Sequence, residues 1–174
     1  MNDNLILEAI RTFLIKNVAT KIKLEKPPEE GTIDDTIQLV PPAVYIGWIP
    51  PKNYLDEFGY DVPGLLVMED GGEDDDGEAY LNIRIGVATY DVGETINGQL
   101  KPNTKGYKDT LNLISIIRTE LSRNINIEGV TTVEKPVKWG LYEEQNYPFW
   151  HGWITFKVVT PSLVYENNDI EKYL

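Results

Sequence analysis

Residues 79–91 alternate between apolar and polar side chains, and this alternation constrains the fold more than any other feature. One set of positions holds Leu81, Ile83, Ile85 and Val87, and the other holds Tyr80, Asn82, Arg84 and Tyr90. Strict alternation over this length is typical of a strand with one buried face. The apolar run at 65–68 predicts a second strand. The acidic segment between them, 69–78, predicts a solvated hairpin turn, in which Gly71, Gly72 and Gly77 supply positive φ angles.

A long polar segment and a helix follow this hairpin. Residues 92–105 have no apolar periodicity, and loops of this length are usually functional or mobile. From Tyr107 the apolar period becomes helical and ends near Asn124. The predicted buried stripe of this helix is Tyr107, Leu111, Ile114, Ile117 and Leu121, with Leu113 and Ile116 beside it. We expect the helix to cover the apolar face of the hairpin, because neither element can bury its own surface.

The flanking segments complete a single domain. A first helix is predicted at 4–17, with Leu7, Ile10, Phe13 and Leu14 as its buried stripe. One helical turn is predicted at 51–58, held to the core by Tyr54, Leu55 and Phe58. Further strands are predicted at 43–48, 136–143 and 150–160, with short ones at 18–24 and 129–133. The order α-β-β-β-α-β-β predicts an α+β fold, with an antiparallel or mixed sheet and helices on one face. This domain spans 1–160, and 161–174 form a C-terminal extension.

Composition excludes several classes of protein. The chain has no cysteine, so neither disulfides nor thiol chemistry are expected. No run of about 18 apolar residues indicates a membrane span, and the N-terminus lacks the pattern of a signal peptide. The net charge of −12 is concentrated in residues 51–100, where twelve acids face two bases. Direct binding to a nucleic-acid backbone is therefore disfavoured, because it requires a basic surface.

No pattern of catalytic or metal-binding residues is present. His151 is the only histidine, and no nucleophile, phosphate-binding or zinc-protease motif accompanies it. Asp74 and Asp76 fit an EF-hand loop, but Gly72 and Ile83 occupy positions that require ligands, so a looser cation site is the remaining alternative to a solvated tip. We expect neither enzymatic activity nor a cofactor. The four tryptophans, Trp48, Trp139, Trp150 and Trp153, suit a sugar or base platform, the core or a subunit interface; we favour an interface for some of them.

Three stretches resemble a known family. The N-terminal LILEAIRTFLIKN, followed by strands, a long loop closing at GYKDTLNLISIIRTEL, and PVKWGLYEEQNYPFWHGWITFKVVTP, resembles the tail terminator (tail completion, or neck) proteins of long-tailed bacteriophages and prophage-derived tail particles. The resemblance spans most of residues 1–160 and lies in the architecture more than in individual residues.

The resemblance implies a structural protein of the virion, assembled in the host cytoplasm. Such proteins form a homo-oligomeric ring, typically a hexamer, that caps the finished tail tube and stops its polymerisation. The ring then offers a joining surface to the head, so the implied partners are the tail tube protein and a head–tail connector or neck protein. DNA only passes through the lumen, and no membrane is involved.

Two sets of residues are candidates for these contacts. An acidic lumen would repel phosphates, and the candidate lining is Glu73, Asp74, Asp75, Asp76 and Glu78; the alternative for these residues is a merely solvated hairpin tip. The candidate contact with a neighbouring subunit or the tube is the loop residues Glu94, Ile96, Asn97, Gln99, Leu100 and Lys101.

Three other functions remain open from the sequence. A head-completion or connector-type adaptor of the phage neck is also an oligomeric ring and differs only in its neighbours. An acidic DNA mimic that inhibits a nucleic-acid-binding enzyme requires carboxylates at phosphate-like spacing, whereas here many are bunched in one turn. A small carboxylate-based hydrolase lacks recognisable partner residues.

Overall fold

The structure, a computed structural model, describes residues 3–29, 37–75 and 77–162. Two helices lie in these ranges, α1 (Asp3–Asn17) and α2 (Lys105–Arg123). The strands are β1 (Leu24–Lys26), β2 (Gln38–Val40), β3 (Ala43–Ile46), β4 (Gly64–Asp75), β5 (Glu78–Tyr90), β6 (Glu94–Ile96), β7 (Gln99–Lys101), β8 (Asn126–Ile127), β9 (Thr131–Leu141) and β10 (Phe149–Thr160).

Six of the strands form one mixed sheet in the order β3-β4-β5-β10-β9-β8. β3 is parallel to β4, and the other neighbours are antiparallel. β1 pairs with β2, and β6 pairs with β7, in two separate two-stranded ribbons. The predicted α+β class with a mixed sheet is confirmed. The short strands β2, β6, β7 and β8 were not predicted.

Both helices pack on one face of the sheet. α1 covers β3 and β4, whereas α2 covers β5 and β10. The predicted alternation in β5 is confirmed as far as Arg84, because its apolar set is buried and Tyr80, Asn82 and Arg84 are only partly buried. Tyr90, predicted on the polar face, is buried at the end of the strand. The other face carries a smaller cluster in which Tyr45 packs edge-on against Phe58, with ring centroids 5.5 Å apart, beside Leu55. Tyr54 does not join this cluster as predicted, since it is 69% exposed.

The buried face of α2 differs from the predicted stripe. The helix begins at Lys105, so Gly106 belongs to it, and Gly106 lies directly against the Trp150 ring. Tyr107 is 42% exposed and Leu111 is only partly buried. The core contacts are centred instead on Leu113, Ile114, Ile117 and Leu121. The close approach at Gly106 and a buried hydrogen bond of 2.7 Å between the Thr110 and Thr89 hydroxyls fix this rotation.

Three predicted segments take another form. Residues 18–24 do not make an edge strand, because Val18 is buried and a 3-10 turn, Ala19–Lys21, extends α1 before β1 begins. The two strands predicted at 129–133 and 136–143 are one strand, β9, which passes through Pro136. The acidic segment is not a turn alone, since β4 continues through it to Asp75.

Candidate functional site

The acidic part of the β4–β5 hairpin, residues 69–75 and 77–78, forms a ribbon that is exposed on its β4 side. A bulge between Glu69 and Gly72 interrupts the pairing, and Gly71 adopts a φ of 104° there. Beyond it, Asp75 pairs with Glu78 at the tip. On β4, every residue from Glu69 to Asp75 is exposed, whereas Leu81 and Ala79 on β5 are buried. Burial on one strand therefore holds the opposite, acidic strand in place.

By strand register, Glu73, Asp75 and Glu78 share one face of this ribbon, and Asp74 lies on the other face. Glu73 Oε2 accepts from Lys157 Nζ at 3.1 Å, and Asp74 Oδ1 accepts from the Ser162 hydroxyl at 2.7 Å. Glu78 Oε2 accepts from the Tyr80 hydroxyl at 2.9 Å. The structure brings four of the five predicted lumen residues together, and the fifth, Asp76, lies outside the described residues. Their charge is partly neutralised by neighbours on the same chain.

Residues 92–105, predicted as a loop, contain the hairpin β6–β7. Asn97 and Gly98 have φ angles of 52° and 74° at its turn, and two successive positive φ angles are typical of the tight turns that match strand twist. All residues from Glu94 to Lys101 are exposed, including Ile96 at 42% and Leu100 at 52%. All six predicted interface residues lie on this hairpin.

The hairpin stands apart from the main sheet, since β6 and β7 pair only with each other among the described strands. Ile96 pairs with Gln99, and Thr95 pairs with Leu100, so the two aliphatic side chains lie on opposite faces. An isolated two-stranded hairpin is marginally stable in water. Two exposed aliphatic side chains on such an element make it a candidate for contact with another molecule.

An ionic cluster fixes the base of the hairpin. Asp91 follows β5 and is 3% exposed; its Oδ1 accepts from Gly93 N at 2.6 Å. Its Oδ2 lies 2.6 Å from Lys105 Nζ, at the start of α2. Lys105 also contacts Asp109 at 3.1 Å and Glu25 at 3.9 Å. One ammonium therefore joins carboxylates from β1, the end of β5 and α2.

The cluster perturbs two protonation equilibria. Burial, followed by the nearby Asp91 carboxylate, raises the pKa of Glu25, and Lys105 only partly offsets this. Burial alone would lower the pKa of Lys105, but its hydrogen bonds to Asp91 and Asp109 outweigh burial and raise the pKa. Lys105 is therefore held in its charged form, while Glu25 carries an electrostatic penalty in the folded chain.

His151 lies in a shallow depression lined by Tyr142, Glu143, Glu144 and Asn146. Burial lowers its pKa, and Gln145 fixes its backbone through a 2.6 Å bond from His151 N. No serine, threonine or cysteine lines this depression in the described part of the chain. Within the same ranges, no group of three or more His, Cys, Asp or Glu residues is arranged to hold a metal ion.

The four tryptophans divide into two pairs. Trp150 packs against Gly106 and meets Tyr107 edge-on at 6.3 Å, and its buried Nε1 has no hydrogen-bond partner among the described residues. Trp153 lies over Gly140, where an added Cβ would be 2.9 Å from the indole. Trp48 and Trp139 are instead 64% and 45% exposed. Their exposure leaves both indoles accessible, and the interface expected for some tryptophans stays a prediction.

Comparison with models of known protein families finds no match, and comparison with curated proteins also finds none. Among the described residues, no helix has the length and apolar content needed to cross a membrane. The geometry alone therefore carries the interpretation of the site.

Two features of the site were missed from the sequence. The hairpin was signalled by Asn97-Gly98, the commonest tight-turn pair. The cluster around Lys105 had no signal, because its members are distant in sequence.

Proposed function

We propose that this chain is the tail terminator of a phage or prophage-derived tail, a structural subunit that caps the completed tube as a ring and then joins the head. The observation that carries this proposal is the projecting hairpin β6–β7. It is shaped by its own turn, anchored at Asp91 and Lys105, and exposes Ile96 and Leu100. A contact element of this kind suits a protein whose function is to dock onto a preformed assembly.

The acidic ribbon supports the same function. In a ring, its carboxylates would face passing DNA and repel the phosphates. Pairing of Glu73 with Lys157 and of Asp70 with Arg84 lowers this charge without removing it. The bunching of these acids in one short ribbon argues against a DNA mimic, which needs carboxylates at phosphate-like spacing along a surface.

Tube binding by hairpin variants tests the proposal. The purified chain is mixed with polymerised tail tube protein from the same tail, and tubes are sedimented. We expect the wild-type chain to co-sediment and Ile96→Lys/Leu100→Lys to remain in the supernatant. Ile125→Lys is the matched control, because Ile125 is 55% exposed but lies outside the hairpin; it should bind as the wild type does.

The same binding experiment distinguishes a neck adaptor from a tail terminator. An adaptor would bind the purified head–tail connector but not tubes. Connector binding without any tube binding would therefore make the terminator assignment wrong. Equal tube binding by the hairpin variant and the wild type would show that β6–β7 is not the contact element.

A further inference from the structure

The two exposed tryptophans lie at opposite edges of the six-stranded sheet. One row of paired residues crosses the sheet from Ile46 on β3 through Val67, Ile85 and Ile154 to Trp139 on β9. Four strand spacings separate the ends of this row, or about 19 Å. Trp48 follows Ile46 by two residues. The chain therefore presents one exposed indole at each side of the same sheet.

The β3 side, which we name the Trp48 surface, is apolar and carries one carboxylate, that of Glu8, that is uncompensated within the described residues. It comprises Trp48, Ile49 and Tyr54, which are 64%, 39% and 69% exposed, beside a depression that Glu8 and Glu57 help to line. Arg11 is occupied within the chain, because it pairs with Glu57 and donates from Nε to Val44 O at 3.1 Å. The exposed carboxylate of Glu8 has no ion pair among the described residues.

The β9 side, which we name the Trp139 surface, is aromatic and basic. The Arg118 guanidinium lies 3.2 Å from the centroid of the Trp139 ring. Lys135 and Lys138 are exposed on the same strand and form no ion pair within the described ranges. β8 covers only Thr131 and Thr132, so the outer backbone edge of β9 beyond them pairs with no described strand. An open strand edge of this kind favours pairing with another chain.

We infer that the Trp139 surface of one copy docks on the Trp48 surface of the next copy of this chain. The inference rests on the proposed ring and names the contact that closes it. Aromatic side chains are enriched in interfaces, and the cations of the Trp139 surface complement the unpaired Glu8 carboxylate of the Trp48 surface. A basic surface facing its own copy would be repelled. Because the two surfaces lie on opposite sides of one sheet, the contact is head-to-tail, which generates a ring when the rotation closes.

Cross-linking tests this pairing directly, because the chain has no cysteine of its own. The double variant Ile49→Cys/Lys138→Cys is treated with a short bis-maleimide at the concentration at which the wild-type chain assembles, and is analysed on a denaturing gel. We expect a ladder of covalent multimers. Each single variant alone should remain monomeric, and a mixture of the two should stop at dimers.

The control replaces the second position with an exposed lysine elsewhere, in Ile49→Cys/Lys23→Cys. A ladder of equal intensity from this control would overturn the inference. Dimers from either single variant would also overturn it, since they would show a surface that meets its own copy. Absence of cross-links in the first double variant would do the same.

Charged substitutions separate this inference from the proposed function. We expect Trp48→Glu and Trp139→Glu each to be monomeric in analytical ultracentrifugation, and their mixture to contain dimers, because each variant keeps one intact surface. If both variants still form rings and cap tubes, the Trp48–Trp139 contact is wrong and the terminator function stands. If the Ile49→Cys/Lys138→Cys variant gives the ladder but the wild-type chain ignores tubes, the contact stands and the terminator function is wrong.

Discussion

Lys105 Nζ lies 2.6 Å from Asp91 Oδ2, and this contact joins the first residue of α2 to the residue that follows β5. The hairpin β6–β7 is the segment between them, so the contact closes its base. Tyr147 adds a second restraint, since its hydroxyl donates to Val92 O at 2.8 Å. The projecting hairpin is therefore attached to the core through a defined ionic and hydrogen-bonded base.

Replacing Lys105 by Met should destabilise the fold, because it leaves the buried Asp91 carboxylate beside Glu25 and Asp109 without a cation. Removing one partner of a fully buried ion pair costs more stability than this. Because the Lys105 ammonium is half exposed, we expect the free energy of unfolding to fall by about 2 kcal/mol. Urea unfolding measures the loss. Lys108→Met is the control on the same helix and should change stability by less than about 0.5 kcal/mol. Equal stability of the two variants would show that the cluster does not anchor the hairpin.

Replacing Glu25 by Gln should stabilise the chain at pH 7. The folded pKa of Glu25 lies above its unfolded value of 4.5, so the ionised form penalises folding above the folded pKa. This penalty disappears as the pH falls through the raised pKa and below 4.5. Thermal unfolding between pH 4 and pH 8 should therefore show a higher melting temperature for Glu25→Gln than for the wild type, with the largest difference near pH 8. Glu8→Gln serves as the exposed control, and a lower melting temperature for Glu25→Gln at pH 7 would contradict the assignment.

Substitutions on α2 distinguish the observed core face from the stripe predicted from sequence. Ile114 is 1% exposed, so Ile114→Ala should cost about 3 kcal/mol, and Ile114→Asp should give no folded protein. Leu111 is only partly buried, so Leu111→Asp should stay folded at 25 °C, although the sequence predicts that both charges unfold the chain. Circular dichroism melts provide the comparison, with Ser115→Ala as an exposed control on the same helix.

Replacing Asp74 and Asp75 by Asn should leave folding nearly unchanged, because both side chains lie on the exposed strand of the ribbon. We expect the free energy of unfolding to change by less than about 1 kcal/mol, including the effect of removing the Asp74 charge that accepts the hydrogen bond from Ser162. Differential scanning calorimetry would detect a larger effect. A melting temperature lowered by ten degrees would mean that these acids maintain the fold, and the proposed role toward DNA would lose its basis.

The sequence predicts the elements whose pattern is local. The alternation around Ile83 and Ile85 identifies β5, and the periodicity of Ile10 and Leu14 identifies α1. The acidic ribbon is a longer strand pair than the turn predicted from the sequence, because β-propensity depends on context. Leu81 and Ala79 are buried on β5, and their partners on β4 form a strand despite a sequence of acids and glycines.

The remaining differences have equally specific causes. Pro136 divides β9 in the sequence, but the outer edge of β9 there pairs with no described strand, so a missing N–H removes no ladder bond on that side. The sequence predicts that Gly106 ends the polar loop, yet Gly106 lies within α2 and allows Trp150 to pack against the helix. The cluster of Glu25, Asp91 and Lys105 is set by tertiary contacts between distant segments, which no local pattern records.

Electron microscopy of the chain mixed with tail tubes tests the central proposal most directly. Short tubes assembled from the tail tube protein are incubated with the purified chain and imaged in negative stain beside tubes alone. The proposal predicts a ring at one end of each tube, and tubes that stop growing when more tube subunits are added. Bare tube ends, with unchanged growth in the presence of excess chain, would contradict it.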